Sequence, residues 1–136
     1  MATNAAQVLN RNDPRQVLNT LKKVVNWNDP DVALSPFELG LPAGAFITDT
    51  FVEVVTAFNG TPTFVMGTVG AGYNNIVASI ADANPGVAGV YRVSRGLGRG
   101  LTASGDVIPY TKVTYGGAPS QGQLIALILY EGGWRT

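Results

Sequence analysis

Glycine and proline divide this chain so finely that it must be built from short pieces: 17 glycines and 8 prolines fall among its 136 residues. Glycine frees the backbone and proline removes a donor, so each tends to mark the end of a regular element. The pieces between them are rich in Val, Ile, Phe, Thr and Tyr, which suit a pleated, half-buried surface. A β-protein follows.

The clearest piece runs from Ala45 to Phe58. Simple alternation puts Phe46, Thr48, Thr50, Val52, Val54, Thr56 and Phe58 on one face, and Ile47, Asp49, Phe51, Glu53, Val55 and Ala57 on the other. Such a length is unusual for one strand, so a bulge near Asp49 is expected. Asn59-Gly60 then gives a hairpin signal, with Thr63 to Gly67 running back. Residues 20–27 fit both helical and strand spacing, and are read as a strand because Asn-Asp-Pro turns flank them at 12–14 and 28–30. Leu34 to Leu39 is interrupted by Pro36 and reads as an edge. Asn75 to Ile80, Val90 to Ser94 and Val107 to Tyr115 are further strands, and Arg95 to Gly105 is a glycine-rich loop. Gln123 to Tyr130 is apolar at both phases, as a strand covered on both sides requires. The expected fold is an all-β, jelly-roll-like antiparallel β-sandwich of about eight strands over residues 20–131. An N-terminal arm, 1–19, precedes it, and a tail, 132–136, follows.

Composition narrows the function. Hydrophobic residues make up 46% of the chain, enough for one core. Charged residues are only 13%, about half the usual share. A surface so poor in charge is either largely covered by protein partners or kept polar by Thr, Asn, Gln, Ser and Gly. The net charge is zero, so no global field draws nucleic acid, and no apolar window is long enough to cross a membrane as a helix. The first residues, Met1 to Ala6, lack the basic and apolar regions of a signal peptide, so synthesis and assembly in a cytoplasm are expected.

Histidine and cysteine are both absent. Their absence removes the commonest general base, thiolate nucleophiles and sulfur-ligated metals. Asp49 and Glu53 share a strand face but stand about 13 Å apart along it, too far to act as a glycosidase pair. Asp29 and Asp31 flank Pro30 and could offer oxygen ligands to Ca²⁺, although turn chemistry accounts for them and the calcium-loop spacing is missing. Gly96-Leu97-Gly98-Arg99-Gly100 lacks the spacing of a dinucleotide or P-loop motif. No enzyme and no cofactor are expected.

What remains points to interfaces. Arg92, Arg95 and Arg99 form a local basic cluster without stacked aromatics, better suited to a protein partner's carboxylates than to nucleic acid. Trp134 follows Gly132-Gly133 and could anchor in a neighbouring chain or pack on its own domain.

The order of segments carries a resemblance. Val24-Val25-Asn26-Trp27-Asn28-Asp29 is followed by Leu41-Pro42-Ala43-Gly44-Ala45-Phe46-Ile47, by Val54 to Gly60, by Thr63-Phe64-Val65-Met66-Gly67, and by Gly122 to Tyr130. Over roughly residues 20–131 this resembles the capsid cement (decoration) proteins of tailed phages. The resemblance implies a jelly-roll-like domain without a cofactor. It also implies binding to the outside of an HK97-type shell, across joints between major capsid subunits, and location on the virion. Self-association, as a dimer before a trimer, is a further expectation, and the arm could serve as a clamp. Two other readings stand beside it. One is a receptor-binding or tail-fibre tip domain, with a sugar groove lined by Tyr73, Tyr91, Tyr110 and Tyr115. The other is a glycan-active enzyme using Asp49 or Glu53.

Overall fold

The computed structural model describes residues 19–42, 44–69, 72–93 and 107–131. The expectations placed on the arm before Asn19, on the loop at 95–105 and on the tail at 132–136 lie outside the described residues. Seven strands occupy the rest: β1 (Asn19–Asn26), β2 (Ser35–Pro36), β3 (Phe46–Thr56), β4 (Thr63–Gly67), β5 (Gly89–Arg92), β6 (Tyr110–Thr114) and β7 (Gln123–Glu131). Odd-numbered strands form a four-stranded sheet in the order β1-β7-β3-β5, and even-numbered strands a three-stranded sheet in the order β2-β6-β4. Every pairing is antiparallel. Each strand is thus followed by one in the opposite sheet, which is the connectivity of a jelly roll.

The piece at 75–80 does not extend into the expected strand. Ile76 and Val77 exchange backbone bonds of 2.9–3.1 Å with Met66 of β4, and the pairing stops there. The reason is local: the Ala78 N–H donates to the Asp82 carboxylate at 3.0 Å, and the Asp82 N–H donates to the Ser79 carbonyl. A side-chain turn has taken the groups that a ladder would need. Ile76 and Val77 are fully buried, so the segment plugs the core from the position of an eighth strand.

A bulge in β3 lies where the strand's length required one. Register shifts between Ile47 and Asp49, and again between Val54 and Thr56. The added residue changes the phase, so Ile47 faces inward together with Thr50, Val52 and Val54, while Phe46 turns out. Simple alternation had paired Phe46 with Val52, and the bulge corrects it. Thr50 is the polar member of the inward row. Its hydroxyl finds no hydrogen-bond partner among the described residues, at a cost of about 1–3 kcal/mol.

Asn59-Gly60 is a turn but not a hairpin. β4 pairs with β6 and not with β3, so residues 57–62 form a corner between the sheets. The two-residue hairpin favoured by Asn-Gly would need the next strand at once, whereas Thr61 and the buried Pro62 intervene. Gly60 supplies the left-handed backbone, with φ 82°. Asn59 is tied across the corner to Ser120 by two hydrogen bonds of 2.8 and 2.9 Å.

Of the remaining expectations, Leu34 to Leu39 contracts to the two residues of β2, which is an edge as Pro36 demands. Val107 to Tyr115 contracts to β6, with Val107 bridging Leu41 before Pro109 interrupts. The core lies between the sheets. It draws Leu21 and Val25 from β1, Val52 and Val54 from β3, Phe64 and Met66 from β4, Val113 from β6, and Leu124, Ala126 and Ile128 from β7.

Candidate functional site

β7 sits between β1 and β3 at the centre of its sheet, and its inward Leu124, Ala126 and Ile128 are completely buried. Its outward ones, Ile125, Leu127 and Leu129, are apolar but only half-buried. The expectation of cover on both faces is therefore met by this chain on one face alone, among the described residues.

Register shows what surrounds them, because directly opposed residues of an antiparallel pair share a face. One row reads Lys22, Leu127, Phe51, Arg92 across β1, β7, β3 and β5. The next reads Val24, Ile125, Glu53, Val90, and a third reads Thr20, Leu129, Asp49. Val55, the extra residue of the second β3 shift, is 46% exposed beside them. Val90 is 67% exposed and Val24 38%. The outer face of the four-stranded sheet thus has an apolar centre. Charge flanks that centre, with Lys22 and Arg92 on the two edge strands and Asp49 and Glu53 on β3. A continuous apolar row with charged side chains beside it suits a protein-docking surface.

Arg92 belongs to this surface. Its Nε donates to Asp49 Oδ1 at 2.9 Å, leaving its remaining N–H groups for a partner. Arg92 is well exposed and Asp49 partly so, and the pair contributes at most about 1 kcal/mol to folding. Its effect is to orient the guanidinium at the margin of the face. Arg95, Arg99 and Trp134 lie outside the described residues. Asp49 is engaged by Arg92, and Glu53 stands two pleats away on the outer face. Asp29 and Asp31 serve as turn acceptors: Asp29 Oδ2 takes the Asn26 N–H at 2.9 Å, and Asp31 Oδ2 takes the Ser35 hydroxyl at 2.9 Å. The described residues contain no group of three or more potential metal ligands.

Two of the four tyrosines pack together, and the other two bond to backbone. Tyr73, which has φ 62°, packs edge-on against Tyr110 with ring centroids 5.2 Å apart. The Tyr91 hydroxyl donates to the Val87 carbonyl at 2.8 Å, and that of Tyr115 to the Trp27 carbonyl at 3.1 Å. Two of the four hydroxyls are thereby committed to backbone carbonyls.

The Tyr115 bond carries a pH dependence. Burial first, and then the nearby Asp29 charge, push its phenol above the ordinary value of 10.0. The folded state therefore holds its proton more tightly than the unfolded chain, so the contribution is whole below about pH 10 and is lost as pH rises through the raised pKa. Urea unfolding between about pH 9 and 11.5 is expected to show a steeper alkaline loss of stability in the wild type than in Tyr115→Phe. Equal slopes would remove this role.

What could have exposed the outer face in the sequence was the double apolar phase of Gln123 to Tyr130. That signal says that both faces want cover, without saying who supplies it.

No family model matches the chain, and no curated protein matches it. Among solved structures, a chain of the "Cyanophage Pam1 capsid asymmetric unit" matches with a TM-score of 0.66 and 16% identity, over 85% of this chain and 85% of that one. A chain of the "Acidic stable capsid structure of Helicobacter pylori bacteriophage KHP30" matches with a TM-score of 0.59 and 15% identity, over 84% and 86%. At such identities the likeness is one of fold, and it extends over nearly the whole jelly roll: this chain shares its architecture with chains of two phage capsid structures.

Proposed function

We propose that this chain is a structural protein of a bacteriophage virion. It binds the outside of the head and cements neighbouring major capsid subunits of an HK97-type shell. The observation that carries this reading is the half-buried apolar row of Ile125, Leu127 and Leu129 on the outer face of the four-stranded sheet, on a fold shared with chains of phage capsids. Attachment at many equivalent lattice sites turns moderate contacts into high avidity, so no single interface needs to be large. The role is mechanical, and it calls for no catalytic residue and no cofactor.

The test compares heads assembled with and without this chain. Complete heads are expected to carry it at a copy number comparable to that of the shell subunit, and to withstand heat and osmotic shock that rupture heads lacking it. Equal survival, or a copy number like that of a tail fibre, would overturn the reading. The second of these results would favour the tip-domain alternative.

A further inference from the structure

β1 is an edge strand, and its hydrogen bonds reveal which of its backbone groups are left open. The Trp27 N–H donates to the Gly122 carbonyl at 3.0 Å, which marks Trp27 and Gly122 as a hydrogen-bonded pair continuing the β1–β7 ladder. Bonded and non-bonded pairs alternate in an antiparallel ladder. Asn26, Val24, Lys22 and Thr20 therefore turn their N–H and C=O groups away from β7. Asn26 agrees with this phase: its N–H donates to Asp29 Oδ2 and its carbonyl accepts the Asp29 N–H, which closes that end of the edge. Thr20, Lys22 and Val24 have no such cover among the described residues. Together they offer three donors and three acceptors in strand geometry.

Beside this open stretch lies a cleft of about 80 Å³ lined by Thr20, Leu21, Lys22, Phe37, Glu38 and Leu39. It is the seam between the two sheets, with buried Leu21 and Phe37 on its walls and Leu39 standing 71% exposed at its lip. A cavity of about 150 Å³ takes a benzene ring, so this one suits a single branched aliphatic side chain. Lys22 and Lys23 stand consecutively on the edge strand, and neither has a carboxylate partner among the described residues.

We propose that the open edge of β1 receives an extended acidic segment from a neighbouring shell subunit, which adds a fifth strand to the four-stranded sheet. This rests on the cement reading and names the chemistry of the partner. In antiparallel register, residues opposite Lys23 and Lys22 are acidic, and the next, opposite Leu21, is aliphatic and enters the cleft. Main-chain bonds supply attachment, and the side chains at alternate positions supply selectivity. A second copy of this chain is disfavoured at the same edge. The self-pairing register that uses Thr20, Lys22 and Val24 together sets two Lys22 side chains directly opposite one another, and like charges so placed repel. Lysine on an exposed edge is a known guard against such pairing.

The test is amide hydrogen exchange on the full chain, free and bound to heads that lack it, with a Lys22→Glu/Lys23→Glu variant alongside. Binding is expected to slow exchange at Thr20, Lys22 and Val24. The variant, folded to the same melting temperature, is expected to bind roughly tenfold or more weakly. Wild-type binding with these amides exchanging as fast as in the free chain would overturn the inference and leave the cement role standing. So would equal binding by the variant, since the acidic partner would then be wrong. Protection already present in the free chain, and lost on dilution, would identify a second copy as the occupant and overturn it too. If the wild type fails to bind heads at all, the cement reading itself falls.

Discussion

Replacing Gly122 with alanine is expected to lower the unfolding free energy by about 3–5 kcal/mol, from a strained backbone and an overpacked corner together. Gly122 has φ 146°, a conformation that L-residues rarely adopt, and a Cβ there would overlap the Phe58 ring. Phe58 is buried, and packs at 6.2 Å between ring centroids against Tyr115. The Gly122 carbonyl also takes the Trp27 N–H, so displacing it would loosen the closed end of the β1–β7 ladder. Gly117→Ala is the control: a Cβ there meets nothing within 4 Å, and its effect on stability is expected to be small. Urea titration of both variants measures the difference. A Gly122→Ala protein as stable as the control would mean that the corner is not packed as described.

Leu127→Asp is expected to detach the protein from heads without unfolding it. Leu127 lies at the middle of the outer face, between Lys22 and Phe51, and is half-buried by its in-sheet neighbours, not by the core. Central apolar residues of an interface contribute about 2 kcal/mol or more when lost, which corresponds to roughly a thirtyfold weaker attachment. An ionised carboxylate that must be desolvated on docking adds to this loss. Sedimentation of heads mixed with the variant gives the bound fraction, and circular dichroism checks the fold. A variant that folds and binds as well as the wild type would acquit the outer face of any part in attachment.

The two substitutions divide the molecule along the line its side chains draw. Gly122, Phe58 and Tyr115 hold the end of the sandwich together, whereas Leu127, Phe51 and Val90 face away from it. Stability and attachment should therefore respond to separate sets of residues.

Much of the fold was legible without coordinates because strands and turns are local. The two-residue period of β3, the proline in β2 and the apolar run of β7 are each written in a few consecutive residues. Even the first bulge in β3 followed from its length. The errors arose where a local signal was ambiguous about distant partners. Asn59-Gly60 specified a turn but not whether the chain would return to the same sheet. Ile76 and Val77 had strand-like side chains, yet Asp82, a few residues on, captured the backbone first.

The candidate surface divides the same way. The scarcity of charge and the absence of histidine and cysteine by themselves directed attention from catalysis to contact. Arg92 could be picked out from its sequence neighbours, but its pairing with Asp49, 43 residues away, could not. Nor could the alternation that leaves Thr20, Lys22 and Val24 open on β1, since it depends on the phase of the ladder with β7. Composition and period fix what each segment is able to bury. Which face stays uncovered, and which backbone groups go unmatched, depends on register between strands far apart in the chain, and register exists only once the sheets have formed.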